Sequence, residues 1–62
     1  MNNAEIMKNA LEDFKEIQRY MLIAKDEKAV KTYAELKDKY LLLKSLLNSL
    51  GVNLTDIDKI KE

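Results

Sequence analysis

Apolar residues recur at spacings of three and four through most of the chain, the period of an amphipathic helix. Met7, Ala10, Phe14, Ile17, Met21 and Ala24 form a first seam, widened on one side by Leu11 and Leu22. Ala29, Tyr33, Leu36, Tyr40, Leu43, Leu47 and Leu50 form a second. The two are out of phase, because continuing the first would put Lys28, Lys31 and Glu35 in the core. Neither a three- nor a four-residue insertion in a coiled coil absorbs that displacement. The pattern therefore predicts two helices, over residues 4–24 and 28–50, with a turn at 25–27.

Local chemistry supports these limits. Asn2 or Asn3 can cap the first helix, and Glu5 then lies in its first turn, where the helix dipole favours a negative charge. Lys25 suits a helix C-terminus, Asp26 an N-cap and Glu27 the first turn of the next helix. Helices joined by so short a turn pair antiparallel. No Gly or Pro marks the turn, so one continuous helix from Ala4 to Leu50, about 70 Å long at 1.5 Å per residue, is the competing expectation. Gly51 follows the second seam, where a left-handed residue ends a helix and lets Val52 pack back on the last turn. Beyond it, Asn53 or Thr55 can cap a short helix over 54–61, with Leu54, Ile57 and Ile60 on one side. A helix of that length persists only when docked.

The second seam is too wide for a single neighbour. Leu36, Leu42, Leu43, Leu46, Leu47, Leu50, Tyr33 and Tyr40 span roughly 180° of a helical wheel, against the ~100° stripe of an ordinary surface helix. Lys39 and Thr32 interrupt the same arc earlier in the helix, so the surplus lies near its C-terminal end. Leu42, Leu43, Leu46, Leu47, Leu50 and Tyr40 are the predicted interface, with the Leu42, Leu46 and Leu50 surface receiving the final helix. A Val30, Ala34 and Leu41 strip on another side is a second candidate for a partner.

Length sharpens this expectation. Sixty-two residues form a single helical domain, 1–62, and below roughly 70 to 80 residues one core rarely supplies more than ~3 to 5 kcal/mol. The chain has no cysteine or histidine, which removes disulfides and the ligands of most structural zinc sites. Oligomerisation is the remaining usual device. The expected fold is thus all-α: an antiparallel helical hairpin with a short C-terminal helix, dimerising into a helical bundle.

Charge narrows the partners. Eleven basic residues balance eleven acidic ones, so no net field draws the chain to nucleic acid or a polyanionic substrate. Arg19 is the only arginine, and bidentate readout of guanine and phosphate favours arginine. No apolar run approaches the ~18 residues of a membrane span, and the N-terminus lacks the regions of a signal peptide. A cytoplasmic location is expected.

Candidate chemistry adds little. Glu12, Asp13 and Glu16 cluster, but they face away from the seam beside Lys8, Lys15 and Arg19, as a solvated face laced with salt bridges would. Ser45 and Ser49 have no histidine to activate them. Met1, Met7 and Met21 with Phe14 read as core filling rather than as a ligand groove. Tyr33 and Tyr40, flanked by Lys37 and Lys44, could stack bases, but read more plainly as edge tyrosines whose hydroxyls reach water.

One stretch, Tyr33-Ala34-Glu35-Leu36-Lys37, resembles in its Glu-Leu pair the Ser-Gln-Glu-Leu-Asp motif of the small aspartyl-phosphate phosphatases of the sporulation phosphorelay, themselves helical hairpins. The polar residues that would do that chemistry are missing, so the resemblance implies a shape and no activity. No enzyme, cofactor or metal site is expected. The leading expectation is a structural or protein-interaction module that self-associates, as a homodimer first, or binds a protein partner through the leucine-rich face. The alternative is a small regulatory inhibitor, antitoxin-like or phage-encoded, that covers a surface of an enzyme or of the transcription machinery.

Overall fold

The structure, a computed structural model, describes residues 2–62, so the Met1 expectation lies outside it. Two helices, α1 (Asn3–Asp26) and α2 (Val30–Ser49), make up the scaffold. The largest dimension of the molecule is 38 Å, close to the ~36 Å of a 24-residue helix at 1.5 Å per residue. A single continuous helix would need nearly twice that, so the chain is a hairpin.

The start of α1 follows the capping chemistry. The Asn2 side chain accepts from the Glu5 N–H at 2.8 Å, and Glu5 sits in the first turn with Lys25 in the last. The turn falls later than 25–27. Asp26 ends α1 instead of capping α2, and α2 begins after Ala29 with no side-chain cap. The reason lies in the backbone. Ala29 N–H reaches back to Ala24 C=O at 2.8 Å and Lys28 N–H to Lys25 C=O at 3.1 Å, the paired bonds of a Schellman ending. Lys28 takes the left-handed position of that motif, with φ 57°.

A left-handed conformation costs a residue with a Cβ about 1 kcal/mol that glycine avoids. Lys28→Gly should therefore raise stability by about 0.5–1 kcal/mol in urea denaturation, whereas Lys28→Ala should be near neutral. At the end of α2 the same device carries the expected residue: Gly51, at φ 82°, donates to Asn48 C=O, and Val52 donates to Leu47 C=O, both at 3.0 Å.

The core joins Ala10, Phe14, Ile17 and Met21 of α1 with Tyr40 and Leu47 of α2 and with Leu54 from beyond the second helix. Phe14 and Tyr40 meet at its centre with ring centroids 5.3 Å apart, stacked at 14°. They lie at similar distances from the turn, as antiparallel pairing requires. Leu11, Tyr33, Leu36, Leu43, Val52, Ile57 and Ile60 close the edges.

The expected short helix over 54–61 is absent. Residues 54–58 make one turn, with Leu54 C=O accepting from Ile57 N–H at 3.0 Å and Asp58 N–H at 2.8 Å, and the chain then runs on without helix. We call residues 52–62 the strap. It does not lie over Leu42, Leu46 and Leu50 as expected. It enters the groove between the helices on the Lys37, Tyr40 and Lys44 flank of α2, leaving Leu42 72% and Leu46 40% exposed.

Candidate functional site

The strap seat is built around polar side chains set into an apolar groove, and Gln18 of α1 is the first. It lies four residues after Phe14, only about 40° from it on the wheel at 100° per residue, so the helix aims it into the groove. There it is 3% exposed. A buried primary amide has two donors and two acceptor sites to satisfy. The Gln18 Nε2 donates to Phe14 C=O at 3.3 Å and to Ile57 C=O at 3.2 Å, while Oε1 accepts from the N–H groups of Lys59 and Ile60. All four are met, and three of the four partners are strap backbone.

The same bonds explain the missing helix. Helical residues would pair Ile57 C=O with Lys61 N–H. Here that carbonyl goes to Gln18, and Lys61 N–H goes to Asp58 Oδ1 at 2.8 Å. Side chains of the Asp type compete with helix for local backbone donors, and a segment this short has no cooperative gain to resist them. Asn53 does act as a cap, accepting from Thr55 N–H at 3.0 Å and Thr55 Oγ1 at 2.7 Å, but only a single turn follows.

Asp58 is the second anchor, a carboxylate 6% exposed. Its Oδ1 accepts from Tyr40 OH at 2.7 Å, and its Oδ2 pairs with Lys44 Nζ at 2.8 Å. Lys44 also donates to Glu62 C=O at 2.8 Å, and Tyr40 OH accepts from Glu62 N–H at 3.2 Å. Tyr40 therefore departs from the edge tyrosine expected of it: its hydroxyl is inside, bonded to the strap, and no base could reach its ring. The Lys37–Glu62 pair, 2.6 Å apart, is more than a third exposed on both sides and adds little.

Of the six predicted interface residues, Tyr40 and Leu47 are fully buried within the chain, Leu43 and Leu50 are half-buried, and Leu42 and Leu46 are open. Glu12, Asp13 and Glu16 are exposed as expected, but the ion pairs among the described residues are those of Lys37 and Lys44, so that face is not laced. No group of three acidic residues among the described ones is placed to hold a metal ion. No described helix is long and apolar enough to cross a membrane. Compared with known proteins, the chain matches no protein-family model, no curated protein and no solved structure.

The seat is bounded by titration on both sides. Burial pushes the Asp58 carboxyl up, but the bonds from Lys44, Tyr40 and Lys61 N–H outweigh it and hold it below its ordinary value. A depressed carboxyl contributes stability that is complete above its unfolded pKa and lost as pH falls through the folded one. Burial and the bond to Asp58 push the Tyr40 hydroxyl up, and the bond to Asp58 raises Lys44. Those contributions are complete below the unfolded values and disappear as pH rises through the folded ones. Strap docking, read as protection of the Lys59 amide, should thus be flat through neutral pH, fall below about pH 4 and fall again above about pH 10. In Asp58→Asn the acid limb should vanish.

Proposed function

We propose that the protein is a small protein-interaction module that self-associates through the open part of its leucine-rich face. The observation behind this reading is the exposure of Leu42 and Leu46 beside half-buried Leu43 and Leu50. The strap already covers the opposite flank of α2, so a second copy packing on these leucines would bury the surplus that the wide arc leaves over. Burial of apolar area is the driving force, at roughly 25 cal/mol per Å², and it supplies the additional core that a chain of this length needs. The absence of histidine and cysteine fits a binding role better than a catalytic one.

A second reading is a small regulator that covers a surface on a different protein. Val30, 77% exposed, and Leu41, 42% exposed, lie on another side of α2 and favour it, since a homodimer closed on Leu42 and Leu46 would leave them free.

Sedimentation equilibrium separates the two. At micromolar concentration the wild-type chain should show a species of at least twice 7.2 kDa, and Leu42→Lys with Leu46→Lys should return it to a folded monomer. A wild-type chain that stays monomeric and folded at that concentration would overturn self-association and leave the regulator reading.

A further inference from the structure

We propose that the groove floor formed by Gln18, Tyr40 and Lys44 reads segments of the pattern Leu-x-x-Ile-Asp-x-Ile folded into the strap's single turn, and that its second occupant is the strap of another copy of this chain. This does not rest on the leucine-face reading. Lys44 and Leu42 lie about 160° apart on α2 at 100° per residue, so the two surfaces are separate.

Three observations carry the proposal. First, the groove recognises the strap as it would a ligand. Gln18 takes two N–H groups and one C=O of strap backbone, which fixes where the turn sits along the groove, while Tyr40 and Lys44 together select a carboxylate at one position. Leu54 fills the core, and Ile57 and Ile60 are half-buried beside it. Second, no other described residue covers the strap from outside. Thr55, Asp56 and Lys59 are exposed, so no other element has to move aside for it to leave. Third, its tether starts at a glycine. Gly51 sits at φ 82° with nothing within 4 Å of where a Cβ would stand, and Val52 and Asn53 link it to Leu54. A glycine re-aims the chain at low cost, and exchanging an identical element between copies requires no new contact chemistry.

The cis strap wins at low concentration, because a short tether gives an effective concentration on the order of 1 mM. If cis docking is favoured about 100-fold, a strap freed of its own groove should bind an empty groove in trans with a dissociation constant of about 10 µM.

Complementation between full-length variants tests this, with Leu42→Lys and Leu46→Lys in both chains to remove the leucine face. One chain carries Gln18→Leu, leaving its strap intact and its groove impaired. The other carries Leu54→Ala and Asp58→Ala, leaving its groove intact and its strap impaired. Circular dichroism first checks that each keeps its helices. With only the first chain labelled with nitrogen-15, its Lys59 and Ile60 amides should move to docked positions and gain exchange protection when the second is added at about 100 µM. Sedimentation should show a heterodimer.

Strap amides that stay unprotected up to about 1 mM of the second chain would overturn the proposal. If either variant loses its helices, an otherwise wild-type chain in the same background, spin-labelled at Thr55→Cys, is mixed at about 2 mM with labelled wild type in that background. Broadening of the amides around Gln18 by the other copy's label is then expected, and its absence refutes strap exchange. Failure of either experiment leaves wild-type sedimentation through Leu42 and Leu46 untouched.

Discussion

Phe14→Ala should leave the chain mostly unfolded at 25 °C. Phe14 is fully buried and stacks on Tyr40 at the point where both helices and the strap converge. Truncating a buried phenylalanine costs about 3–5 kcal/mol, and losing the aromatic pair adds about 0.5–1.5 kcal/mol. A core in a chain of this size supplies only ~3–5 kcal/mol, so one substitution removes all of it. The expected result is loss of the cooperative thermal transition in circular dichroism, with well under half of the helical signal left. Ile23→Ala is the matched comparison on the same helix: Ile23 is half exposed, and its truncation should change stability by less than about 0.5 kcal/mol. A Phe14→Ala chain melting within a few degrees of wild type would mean that the core lies elsewhere.

Gln18→Leu should destabilise the protein even though every pattern rule favours it. Leucine has nearly the volume of glutamine, a slightly better helix propensity and the apolar character of its neighbours Phe14, Ile17 and Met21. What it lacks are the partners of Ile57 C=O and of the Lys59 and Ile60 N–H groups. Leaving such groups buried and unpaired costs about 1–3 kcal/mol each. The strap should therefore lift off and take its groups into water, exposing Leu54 and losing about 2 kcal/mol of apolar burial. The expected variant keeps its helical signal, has a lower denaturation midpoint and is cut readily by protease between residues 52 and 62. A variant as stable as wild type, or more so, would show that the strap seat contributes nothing.

The hairpin was legible because its evidence is physical and redundant. Two seams out of phase cannot share one helix, Asn2 has a donor to cap, and Gly51 stands where a left-handed residue is needed. The turn lies two residues beyond 25–27 because its left-handed position holds Lys28, and lysine carries no signal for that conformation. The strap was only half legible. Leu54, Ile57 and Ile60 were visible as apolar positions, but helical spacing also fits a single turn followed by an irregular segment. What selects the latter is Gln18, some forty residues away in sequence.

A signal for it existed. Gln18 lies inside the α1 stripe, and Lys44 lies a similar angle from Tyr40 on α2, so each helix puts one polar residue where an apolar one belongs. Two such residues facing one groove call for polar partners between them, and the strap supplies those partners as backbone amides and the Asp58 carboxylate. The leucine arc misled in one respect. Its width points to a seat for the strap, while the strap takes the polar flank and leaves Leu42 and Leu46 in solvent.

Gln18 and Asp58 dock the strap, and amide hydrogen exchange at Lys59 and Ile60 of the wild-type chain at neutral pH is the decisive test. Both amides are bonded only to a side chain of another element, so local turn structure cannot protect them. Exchange there should be slowed by at least about tenfold relative to an unstructured peptide, since an amide closed in most molecules exchanges only through opening, and should return to the peptide rate in Gln18→Leu. Lys59 and Ile60 exchanging at the unstructured rate in the wild-type chain, while the helical amides remain protected, would contradict that docking.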